Sequence, residues 1–178
     1  MSSRLPEFVD PWRLADQRRT FAGAIELNRL PRLCEALMSS QGNAEFELRF
    51  EPDQQRRVRV KGSVTATLVL ECQRCLGPLN YPVQSNVDLT VIEVLDEIER
   101  LPEESDPLLA EEGRIRPMDL VEDELLLSLP QVPRHNPDAC GVDVDTLNRA
   151  TIAVQQVRET PEVSPFAVLA GLKSHEQK

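Results

Sequence analysis

The chain has 178 residues, 40% of them apolar and 28% charged, and a formal net charge of −10. That length suits one domain or two small ones, and so acidic a balance excludes a broadly basic nucleic-acid-binding surface, because affinity for phosphates comes from Lys and Arg. The N-terminal stretch has no apolar core for a secretory signal and no run reaches membrane-spanning length. A soluble, cytoplasmic protein is therefore expected, with its four cysteines in the core or on a metal rather than in disulfides.

The acidity is uneven. Residues 81–127 carry 14 acidic and 3 basic side chains, so any contact with nucleic acid is expected on the first half or the tail. In chain order, Asp10 and Pro11 read as a cap and a first-turn proline for a short helix to Arg18. Thr20 to Leu27 reads as a strand. Asn28 is placed to cap a second helix carrying Leu30, Leu33, Cys34 and Leu37 at helical spacing. Phe46, Leu48 and Phe50 then alternate with charged residues, and Pro52 to Gln55 make a turn. Val58, Val60, Val64, Ala66, Leu68, Leu70 and Cys72 all fall on even positions, which predicts a long antiparallel strand with one wet face. Gly62 interrupts that series and is expected as a bulge or bend. Leu79 to Leu95 forms a third extended run, with Val83, Val87, Leu89 and Val91 on one face.

Residues 96–117 are acidic and proline-containing, and are expected as a solvated loop. Pro117 opens a helix whose buried stripe is Val121, Leu125 and Leu129. Asp119, Glu122, Asp123 and Glu124 read as its solvated face near a favourable dipole end. Pro130 and Pro133 stop it. The fold class is α+β: an antiparallel sheet with long hairpin strands flanked by a few helices, then an extended C-terminal segment ending in a short helix. Residues 1–135 are expected as the domain, 136–163 as an irregular linker and 164–173 as a C-terminal helical motif.

Three features carry chemistry. Cys72 and Cys75 form a C-x-x-C at the end of the long strand. His135 and Cys140 on a proline-bounded loop supply two more ligands, enough for one structural zinc. The same cysteines also fit plain core positions, or a thiol-redox pair. Arg57, Arg59 and Lys61 form a row on the wet strand face. Such a row suits phosphates, or it makes cross-strand pairs, Arg57 with Glu51 and Lys61 with Glu47. Finally, Phe166, Val168, Leu169 and Leu172 give the last helix an apolar face. It either packs back on the sheet or docks in a partner's groove.

Taken together, LECQRC at 70–75, VEDELLLSLPQVPRH ending at His135 with Cys140 beyond, and SPFAVLAGLK at 164–173 resemble the YceD family in order and spacing. These are the large ribosomal RNA subunit accumulation proteins. The resemblance implies a non-catalytic role in synthesis, processing or stability of 23S ribosomal RNA. It also implies, as partner, pre-ribosomal RNA, a large-subunit precursor or a protein of that pathway, with neither a membrane nor a small-molecule substrate. Two alternatives stand beside it: a cytoplasmic thiol-redox protein using Cys72 and Cys75, and a protein-binding adaptor without RNA contact.

Overall fold

Residues 5–102 and 105–141 are described in a computed structural model of the chain. Residues 1–138 form one compact unit and residues 139–178 a second. All the strands and helices given below lie in the first. The C-terminal expectations, the helix at 164–173 and most of the linker, fall outside the described residues.

Helix α1 spans Pro11–Asp16, with Asp10 as its N-cap accepting from Arg13 N at 3.0 Å. Strand β1 follows at Thr20–Glu26. The expected second helix is much shorter than its apolar spacing suggests. A 3-10 turn, Leu27–Arg29, precedes α2 at Pro31–Cys34. Asn28 caps nothing: Leu30 stands at the N-cap, without a side-chain hydrogen bond, and Pro31 takes the first helical position. Proline fixes the start of α2 there because its missing N–H costs least at that position.

Strands β2 (Asn43–Pro52), β3 (Val58–Glu71) and β4 (Pro78–Ile92) form a consecutive antiparallel meander. The period of two sets the inner face. Ala44, Phe46, Leu48 and Phe50 of β2 are buried, as are Val58, Val60, Val64, Leu68 and Leu70 of β3 and Val83, Val87 and Val91 of β4. Helix α3 (Pro117–Leu127) adds Leu120, Val121 and Leu125 to this core. At the end of β4 the alternation stops. Thr90, Val91 and Ile92 are all buried, so the sheet is covered there on both faces.

Gly62 is not a bulge. Lys61, Gly62 and Ser63 pair in unbroken register with Arg49, Leu48 and Glu47, and on the other side with Asp88, Val87 and Asn86. A Cβ at this position would stand 1.7 Å from the Glu47 carbonyl oxygen. The glycine is needed because the β2 backbone comes that close.

The acidic stretch at 96–117 is also more than a loop. A 3-10 helix occupies Leu95–Arg100, and β5 (Asp106–Leu109) joins the sheet edge parallel to β4. Val9 and Ile115 then exchange both backbone hydrogen bonds, N to O at 2.9 and 3.0 Å. Pro107 suits an edge strand, since it has no N–H to leave unpaired on the open side.

Candidate metal centre

Strand β3 ends at Glu71, and the next six residues fold into a tight knuckle before β4. Leu76 N donates to Cys72 O at 2.8 Å, and Cys72 N donates to Gly77 O at 2.9 Å. Leu76 takes a left-handed φ of 58° to close this turn. The knuckle turns Cys72 and Cys75 toward one point. Cys72 is fully buried and Cys75 is half-buried.

The chain after α3 is fastened to the same place. Gln73 N donates to Pro133 O at 2.9 Å. A guanidinium nitrogen of Arg74 donates to His135 O at 3.0 Å. The His135 ring is oriented at both nitrogens. Its Nε2 lies 3.0 Å from the Pro78 carbonyl, and its Nδ1 lies 3.4 Å from Cys75 Sγ. A carbonyl oxygen only accepts, so Nε2 carries a proton, and in the neutral ring this leaves the Nδ1 lone pair on the cysteine side. Fixing a ligating imidazole through its other nitrogen is the usual arrangement at metal sites.

Cys140, just past the 3-10 turn Pro137–Ala139, completes the set. One donor atom each from Cys72, Cys75, His135 and Cys140 lies within 4.8 Å of the others. Tetrahedral zinc with sulfur at about 2.3 Å sets its ligands about 3.8 Å apart, so the four need close by only a fraction of that distance. Burial pushes the Cys72 thiol up, but backbone N–H groups of Cys75, His135 and Arg74 outweigh it and bring the group down to about 5. Cys72 is thus a thiolate at neutral pH, the form that binds metal. Three sulfurs and an oriented imidazole suit a borderline-soft divalent ion, and the donor set fits zinc.

The other expected site residues separate from this group. The hairpin register sets Arg59 opposite Glu51 and Lys61 opposite Arg49, so neither cross-strand pair falls where the turn length suggested. Each cation of the row nevertheless has an acid. Arg57 Nε meets Asp53 Oδ2 at 2.8 Å, Arg59 meets Asp88, and Lys61 Nζ lies 3.1 Å from Glu51. Phe166, Val168, Leu169 and Leu172 lie outside the described residues.

Two structural carboxylates escape a reading of the sequence. Asp53 Oδ1 accepts from the N–H groups of Gln55 and Arg57, both at 2.8 Å. Burial pushes its pKa up, but these bonds and the Arg57 side chain hold it below the usual carboxylate value. Glu122 is not solvated, contrary to expectation: it is 3% exposed. Its Oε1 accepts from Leu33 N at 3.1 Å and its Oε2 from Arg32 Nε at 3.0 Å. Glu122 thereby ties α2 to α3, and Asp123 adds a second contact with Arg32 at 2.8 Å.

Fold and site together define a small α+β protein in which donor atoms of Cys72, Cys75, His135 and Cys140 gather at a sheet knuckle. The family model described as "Large ribosomal RNA subunit accumulation protein YceD" matches residues 60–173. A protein of that description from Haemophilus influenzae is 34% identical over 171 residues, covering 96% of this chain and 97% of its own. The chain belongs to the YceD family. No solved structure matches it.

Proposed function

We propose that this chain is a non-catalytic factor that supports accumulation of 23S ribosomal RNA, through its synthesis, processing or stability. The observation that carries this reading is the near full-length similarity to a relative whose name states large ribosomal RNA subunit accumulation. On this reading the protein acts in the cytoplasm, on pre-ribosomal RNA, a large-subunit precursor or a protein of that pathway, and the apolar motif at 164–173 serves as its docking peptide. One structural zinc, held by Cys72, Cys75, His135 and Cys140, fastens the segment after α3 to the sheet. The oriented His135 and the fourth ligand favour a metal over a redox pair, since a two-thiol redox centre needs neither.

The test is deletion of the gene followed by measurement of 23S RNA against small-subunit RNA. The expected result is a fall in that ratio, restored by the wild-type gene. An unchanged ratio in growing cells would sink the reading.

A further inference from the structure

Two residues near one end of the sheet adopt backbone conformations that favour glycine, and both are arginines. Helix α1 ends in a Schellman turn, with Arg19 N donating to Leu14 O and Arg18 N to Ala15 O, both at 3.0 Å. Arg18 holds the left-handed position at φ 47°, where glycine is the usual occupant. The β2–β3 hairpin closes similarly. Arg56 N donates to Asp53 O at 3.0 Å and Asp53 N to Arg57 O at 2.8 Å. Arg56 then takes φ 64°, the left-handed place that glycine fills in hairpins of this kind. L-residues resist this conformation, and strained positions are kept where the side chain serves a purpose.

The two turns are neighbours. Phe50 N donates to Arg19 O at 2.9 Å, and Thr20 pairs with Arg49. With a strand rise of ~3.3 Å and strands ~4.8 Å apart, Arg56, at the hairpin tip beyond Pro52, lies on the order of 15 Å from the consecutive Arg18 and Arg19. All three are exposed. Among the described residues none of the three makes a salt bridge, whereas Arg49, Arg57, Arg59 and Lys61 close by all do. Arg56 and Arg57 also border a groove of about 230 Å³ that is lined by Trp12, the chain's one tryptophan. Glu93 and Glu97 line the same groove and repel phosphates toward the arginine side.

We propose that Arg18, Arg19 and Arg56 form a phosphate-binding edge for single-stranded RNA, with a base stacked on Trp12. Unpaired guanidinium groups beside an aromatic face are the chemistry by which single strands are held without sequence readout. This inference rests on the RNA-linked function above and names the surface through which it works.

The test uses the full, zinc-loaded chain and a single-stranded RNA of about twelve nucleotides. Binding should quench the fluorescence of Trp12. The double variant R18G/R56G should melt at or above the wild-type temperature, because glycine prefers both turns. It should also lose about tenfold or more in affinity, with a salt slope shallower by about 1.4, near 0.7 for each lost phosphate contact. Unchanged affinity, no RNA binding by the wild type, or a marked fall in melting temperature would each overturn the proposal. So would equally tight binding of polyglutamate, which would show a site for acidic peptides. A drop in 23S RNA on gene deletion combined with a silent RNA titration would leave the function standing and remove this surface alone.

Discussion

Replacing Glu122 by alanine strands a buried backbone N–H at Leu33 and leaves Arg32 with Asp123 alone. The expected loss is about 1–3 kcal/mol, toward the low end because the Arg32 side chain is itself 51% exposed. Glu122→Gln should lose less, since an amide oxygen still accepts from Leu33. Urea denaturation of both variants checks this, and equal midpoints for wild type and alanine would refute the role. The sequence held a usable signal for this carboxylate. Met118, Val121 and Leu125 lie on the inward stripe of α3, and position 122 lies beside 118 and 125 within it. Counting acids at a helix start hides that phase. Gly62 misleads in a different way: a glycine in a strand looks the same whether it makes a bulge or admits a close backbone, and only the partner strand decides.

Between elements, the zinc proposed for the Cys3His group would join the β3–β4 knuckle to the chain beyond α3. Chelation of the zinc-loaded protein should cost on the order of 3 kcal/mol and ~10 °C in melting temperature, as expected when a cross-link closing a long loop is lost. Cys140→Ser should give a similar loss and reduced zinc content by elemental analysis. Without metal, the Cys72 thiol sets a pH dependence. Its folded value is about 5 against 9.0 for an ordinary cysteine, so the folded state favours the thiolate. The contribution is complete above pH 9, declines as pH falls, and is gone below 5. Melting temperatures of metal-free protein across that range should follow this course, and Cys72→Ser should flatten it. The period-two strands were legible because one dry face imposes alternation over fourteen or fifteen residues. The gathering of the C-x-x-C with His135 and Cys140 was legible because few other roles call for three cysteines and a histidine at such spacing, and the four donor atoms do converge. Strand β5 was not legible: four residues in an acidic, proline-containing stretch carry no period, and their parallel pairing depends on β4.

Across the whole molecule, net charge and local charge tell different stories. The acidity is concentrated in residues 81–127, whereas Arg18, Arg19 and Arg56 stand apart from it in sequence and make no salt bridge among the described residues. A total of −10 therefore does not describe what a ligand meets at that end of the sheet. The strand order has a kinetic consequence. Strands β1 to β4 pair in the order in which they are made, so each closure in the meander spans a short stretch and forms fast. The Cys75–His135 contact spans sixty positions and is expected after the folding barrier. Zinc should then leave the refolding rate nearly unchanged and slow unfolding, which stopped-flow measurements with and without metal can check; a faster refolding limb would show an early staple. During synthesis Cys72 and Cys75 leave the ribosome well before His135, so the nascent chain offers an ion only half a site until its domain is nearly finished.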